Sequence, residues 1–320
     1  MRRLFRVELT RLRWRRAVIL LLLAAVVVPA FIAFSVIWDT RPPSQAELDQ
    51  VRKSASPEIA RCENHPRQFG VRKAELCEEQ ILGWYTDNQP LRLGQQRHES
   101  GLAVAAVLTL LVMLAGTTFA GHDWNSGSIS NQLLFEPRRG RVWAAKGLVV
   151  LLASFVTSAV VSGAFWTVLW LVARSRDLPV PHGVLVDCLE LALRGSVFAA
   201  AAALGAFAAT MLFRSTVATL GILFAVVLAG GLFFAALGVS ERWFPHKNVA
   251  AIVKDGTQYY VEVPESCFTD RGRQREKPPE GSECDQRRDL SLVDGSLYYG
   301  VLLLGAGTAS VLSFRRRDVP

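Results

Sequence analysis

The residues that could do chemistry in this 320-residue chain are few and dispersed. His65, His98, His122, His182 and His246 stand apart, with no HExxH pair and no ligand spacing, so no metal site is expected. None of the six lysines follows a glycine, which leaves no GxxxxGKS/T loop to cradle nucleotide phosphates. A GxSxG elbow is missing too, and no Ser, His and Asp fall in a triad-like arrangement. The chain is therefore expected to be non-catalytic and to hold no cofactor of its own. Three groupings remain. Asp187, Glu190 and Arg194 fall at i, i+3 and i+7, on one face of a helix. That face would either line a polar access route near a membrane surface or serve as an amphipathic lead-in. Cys62 with Cys77, and Cys267 with Cys284, are spaced so that each pair could close a disulfide in an oxidising compartment, or stay open. Cys188 is left over. The third grouping, Gly121 to Lys146, combines an acidic residue, an apolar stripe and four basic residues.

The elements that must carry these residues are membrane spans. Hydrophobic residues make up 51% of the chain and charged ones 20%, and the charges cluster so that long stretches carry none. A bilayer-crossing helix needs about 20 mostly apolar residues. Six runs qualify: 17–38, 101–121, 147–173, 196–213, 215–239 and 297–314. Pro29 is tolerable inside the first, because neighbouring helices can satisfy the freed carbonyl. That run is longer than a cleavable signal, and Phe31, Ile32 and Phe34 crowd the place of cleavage, so a retained anchor is expected. The fourth and fifth runs meet at Arg214 in a tight hairpin. Small residues recur every four along the fourth, as Gly195, Ala199, Ala203 and as Ala201, Gly205, Ala209. They fit close packing inside the bundle or a seam between two copies.

Charge sorts by side. The net +8 and pI near 9.6 would indicate nucleic acid in a soluble protein. Here 1–16, 122–146, Arg214 and 315–320 together carry +11, whereas 39–100, 174–195 and 240–296 together carry −3. By the positive-inside rule both termini are cytoplasmic, two long loops lie outside, and no nucleic-acid partner is needed. The expected fold is an all-α polytopic membrane protein with six spans in the plasma membrane. Trp38, Trp166, Trp170 and Trp243 fall at outer ends and Trp14, Trp124 and Trp143 at inner ones, as interfacial anchors. Residues 257–263, rich in Tyr and Val, predict a short strand in the last outer loop.

Between the second and third spans runs GHDWNSGSISNQLLFEPRRGRVWAAK. Asp123 can cap a short helix, and Gly127 allows close backbone approach. Ile129, Leu133 and Leu134 form an apolar stripe that ends at Pro137. Positive-inside anchoring would explain Arg138, Arg139, Arg141 and Lys146, but not an apolar stripe with nothing of its own to bury against. The stripe calls for a partner protein.

This loop resembles that of the permease subunits of ATP-binding-cassette transporters of the type-two export class. The shared pattern is an acidic residue, Gly-Ser/Thr, Leu-Leu, Pro-x-Arg and a Lys opening the third span: here Asp123, Gly127-Ser128, Leu133-Leu134, Pro137 with Arg139, and Lys146. Family members often carry Glu where Asp123 stands, and the outer loop 39–100 looks longer than in the simplest drug exporters. The resemblance implies a coupling helix over 123–135 that docks a separate ATPase subunit, which would bind ATP and Mg. It implies a second permease subunit, identical or not. It also implies that the N-terminal segment with Leu4, Phe5, Leu9, Leu12 and Trp14 lies along the membrane surface, as a second ATPase contact or a plain anchor. Nearly charge-free spans point to a lipid-like, amphiphilic or peptide cargo. The alternative is a membrane scaffold or sensor whose outer loops bind a ligand.

Overall fold

A computed structural model describes residues 1–85, 90–268 and 284–316. The chain is mostly helical. Its elements are α1 (Arg2–Trp14), α2 (Arg16–Asp39), α3 (Gln45–Ser54), α4 (Ser56–Asn64), α5 (Cys77–Tyr85), α6 (Leu93–Gln96), α7 (Ser100–Asn125), α8 (Ser128–Phe135), α9 (Arg139–Ser175), α10 (Val184–Phe213), α11 (Thr216–Ala236), α12 (Pro245–Lys254), β1 (Thr257–Tyr260), β2 (Arg287–Leu290) and α13 (Leu292–Arg316). Five helices, α2, α7, α9, α10 and α13, are long and apolar enough to cross a membrane. The expected run 215–239 is helical as α11, which has 21 residues, about 32 Å at ~1.5 Å per residue; it is not one of these five.

Helix ends differ from hydropathy boundaries for a physical reason: polar turns can continue a helix beyond the hydrocarbon. α9 has 37 residues, about 55 Å at ~1.5 Å per residue, and starts at Arg139 rather than 147. Its first two turns stand outside the apolar stretch and carry Lys146. α10 likewise starts twelve residues early, at Val184. It is the central helix, packed on α7, α9 and α13. Its Gly195–Ala199–Ala203 row is buried within the chain, and a Cβ on Gly116 of α7 would come 2.9 Å from the Ala203 carbonyl oxygen. Gly205 faces Leu303 of α13 instead. The small residues of the first row thus serve the internal bundle. Arg214, with a φ of 56°, turns the chain from α10 into α11. There Gly121 of α7 meets α11 so closely that a Cβ would overlap Thr216 Oγ1.

One end of the bundle holds both ends of the described chain: Arg139 donates to the carbonyl of Phe314 at 3.3 Å, and Trp124 packs edge-on against the Phe314 ring. The opposite end carries the loops. There Arg176 donates to the carbonyls of Ile37 and Thr40, both at 2.8 Å, capping the C-terminus of α2. Residues 39–100 are not a bare loop but contain α3 to α6, closed by the Cys62–Cys77 disulfide with Cα atoms 5.7 Å apart. The last loop contains α12 and the antiparallel pair β1–β2, in register Thr257↔Leu290 to Tyr260↔Arg287, and the Cys267–Cys284 disulfide. This ladder departs from the all-α expectation, and the strand ends at Tyr260 rather than 263. Glu241 accepts from the Tyr260 N–H at 3.1 Å and pairs with Lys247, which holds its carboxyl below the usual range. Trp166 is no interfacial anchor: it is buried in the bundle against Gly101. Trp14, Trp38 and Trp243 are exposed, as anchors should be.

Two measurements check this packing. Gly121→Ala should destabilise the chain by about 1–3 kcal/mol in detergent unfolding, and adding Thr216→Ala should recover a large part. Alkylation after denaturation without reductant should label Cys188 alone, and all five cysteines only after reduction.

Candidate functional site

At the end that carries the termini, four charged side chains from three helices and one junction meet away from solvent. Lys146 projects from the second turn of α9 and is fully buried. Its ammonium donates to Glu8 Oε2 of α1 at 2.7 Å and to Asp123 Oδ2 of α7 at 2.6 Å. Asp123 Oδ1 accepts from the guanidinium of Arg15, the single residue between α1 and α2. Arg15 also donates to the Phe119 carbonyl at 2.7 Å. Both cations flank the buried Phe119 ring, Arg15 at 4.8 Å and Lys146 at 5.3 Å from its centroid.

The cluster reaches α8 through Gln132. Its amide nitrogen donates to Glu8 Oε1 at 2.5 Å and its oxygen accepts from Arg11 at 3.1 Å. Taking such ions from water costs several kcal/mol each, so the arrangement persists only because the charges pair and their remaining lone pairs are filled. Two carboxylates and two buried or nearly buried cations balance, and every carboxylate oxygen named here accepts a hydrogen bond. The arrangement is a mechanical link: α1, α7, α8 and α9 share one ionic joint. Among the described residues no group of three or more His, Cys, Asp or Glu could hold a metal. The cavity between α7, α9 and α10, lined by Ser158, Ser162 and Ser196, has about 10 Å³, room for one water and no substrate.

Several expected site residues take other roles. Asp123 does not cap a helix: it lies in the last turn of α7, and α8 starts only at Ser128 with no side-chain cap. Gly127 makes the turn between them with a φ of 65°, a left-handed conformation cheap for glycine. The expected apolar stripe is split. Ile129 is buried in the chain's own core and Leu133 packs partly against it, while Leu134 is 80% and Phe135 91% exposed. Only the C-terminal tip of α8 therefore lacks a partner. Ser128 opens the helix at its other end and is half-buried, and Pro137 follows in the extended link to α9, where Arg139 reaches Phe314. In α1, Phe5 and Leu12 turn into the bundle with Leu4 half-buried, so the apolar side faces protein rather than lipid; Leu9 and Trp14 stay exposed. The Asp187–Glu190–Arg194 face is paired rather than open. Asp187 meets Arg97 at 3.2 Å, and Arg194 meets Glu190 at 3.5 Å and Asp255 at 3.4 Å. It ties α10 to the loop-end segments.

Glu8, Gln132, Arg11 and Arg15 were not singled out in sequence. Glu8 carried a signal: it is the one carboxylate among seven arginines in 1–16, and it lies one turn from both Leu4 and Leu12, on the apolar side. A charge on the buried face of a helix must meet a countercharge, and Lys146 is the one lysine near that end of the bundle.

No family model, curated protein or solved structure matches the chain. What the fold defines is a class: a mostly helical chain whose five long apolar helices make it a candidate multi-pass membrane protein.

Glu8→Ala should destabilise the protein by about 3–5 kcal/mol, because Lys146 and Gln132 lose a buried partner. Lys146→Met should cost a similar amount. The double variant should cost less than the sum by about 0.5–3 kcal/mol, read in a double-mutant unfolding cycle.

Proposed function

We propose that this chain is the membrane permease subunit of an ATP-binding-cassette exporter of the type-two class, driven by a separate ATPase that binds ATP and Mg. In this reading both termini are cytoplasmic, α11 is a sixth span, and two permease subunits work together in the plasma membrane. The observation that carries it is the build of α8. This short helix lies between two long apolar helices, is joined on its inner side to α1 and α9 through Gln132, Glu8 and Lys146, and presents Leu134 and Phe135 outward. A helix fixed on one side and bare at an apolar tip is suited to receive a push and pass it to the helices behind it. The loop pattern from Asp123 to Lys146 supports the same reading. The cargo class remains the one expected from nearly uncharged spans: lipid-like, amphiphilic or peptide.

A scaffold or sensor is the second reading, favoured by the two disulfide-closed, structured segments at the loop end. Co-expression with the products of its neighbouring reading frames separates the two. A transporter subunit co-purifies with a nucleotide-binding ATPase from among them and stimulates its ATP hydrolysis. Leu134→Asp and Phe135→Asp should weaken that docking by about tenfold or more while insertion stays intact, since both side chains are exposed. A chain that purifies alone and leaves hydrolysis unchanged would favour the scaffold.

A further inference from the structure

α1 has two faces of opposite character. Its inner face, with Phe5, Glu8 and Leu12, is spent on the protein itself. At 3.6 residues per turn, Arg2, Arg3, Arg6 and Arg13 share the opposite side. All four are exposed, and among the described residues none has a carboxylate within ion-pair distance. Arg16, which opens α2, is exposed as well. An apolar face cannot hold this helix on a bilayer, because that face is already covered; an arginine face can, provided the surface is anionic.

We infer that the Arg2–Arg3–Arg6–Arg13 face of α1 is a docking surface for anionic phospholipid headgroups. Two observations favour lipid over an acidic protein. The chain passes from α1 into the membrane-length α2 through one residue, Arg15, so the C-terminal end of α1 lies at headgroup level. The flanks of the arginine face carry Trp14, 75% exposed, with Val7 and Leu9, the composition of an interfacial surface. Each basic residue near such a surface adds attraction that salt screens. Because Glu8 on the same helix holds Lys146 and Gln132, lipid bound on the outer face fixes the position of the ionic joint on the inner one. The inference goes beyond the transporter reading and does not depend on it.

The test uses the full chain, reconstituted in a bilayer of equal parts phosphatidylglycerol and phosphatidylcholine, extracted gently, and examined by native mass spectrometry for retained lipid. The wild type should retain phosphatidylglycerol preferentially. Replacing Arg2, Arg3, Arg6 and Arg13 with Gln should lower that preference roughly tenfold or more, whereas replacing all four with Lys should largely keep it. Arg138→Gln with Arg141→Gln, on the same end of the molecule, should change it little. An unchanged preference in the Gln variant overturns the inference, and so does an equal loss in the Arg138/Arg141 control, which would mean net charge alone. Unchanged lipid preference with loss of ATPase co-purification would assign the face to a protein and overturn it too. Should the fourfold Gln variant fail to insert, Arg6→Gln with Arg13→Gln and a salt series on the wild type decide. A preference that survives both overturns the inference.

Discussion

Everything at the end that holds the termini depends on one requirement: Lys146 is buried, and a buried ammonium must be paired. Asp123 lies on the neighbouring helix, but a single carboxylate shared with Arg15 does not complete the site. Glu8 does, and it can reach Lys146 only if α1 folds back against α9. The inner face of the N-terminal helix, with Phe5, Glu8 and Leu12, is thereby turned into the protein, while its arginine face stays exposed. Gln132 then fills the second oxygen of Glu8, which fixes the angle at which α8 lies. Removing one member leaves a charge with nowhere to go, so the joint behaves as a unit rather than as separate contacts.

The rest of the bundle is arranged by size rather than charge. α10 can sit at the centre because Gly195, Ala199 and Ala203 let α7 approach, and Gly116 answers from the other side, while Gly121 lets α11 come close. The loop end is held by arginines that satisfy exposed helix carbonyls or pair across segments, as Arg176, Arg97 and Arg194 do. Such partly exposed pairs stabilise little individually. The ionic joint is different, because it lies out of water.

Hydropathy made the long helices legible, and each of the five membrane-length helices contains its expected run. What it missed follows from what it measures. Turns that carry charges, such as Arg139–Lys146 and Val184–Gly195, continue their helices, and a charge-free run stops short of them. The orientation of α1 was hidden because an arginine-rich amphipathic segment looks alike whether its apolar side meets lipid or protein; Glu8 within that side was the distinguishing residue. In the 121–146 loop, sequence found the short helix but treated Ile129, Leu133 and Leu134 as one stripe. Burial of Ile129 and exposure of Leu134 separate them, because five residues at ~100° each turn Leu134 about 140° away from Ile129, while Leu133, one turn on, stays on its side. The pairing of β1 with β2 joins residues 27 or more positions apart, and such long-range pairing is not readable from local pattern.

The most direct measurement of the joint is hydrogen exchange on the full chain in a bilayer. The amides of α1 and α8 should exchange slowly and with a common opening rate, and Glu8→Gln should release both together. An α1 that exchanges like a free terminal peptide, while α8 and the first turns of α9 stay protected, would contradict the central claim that one buried ion cluster binds these helices together.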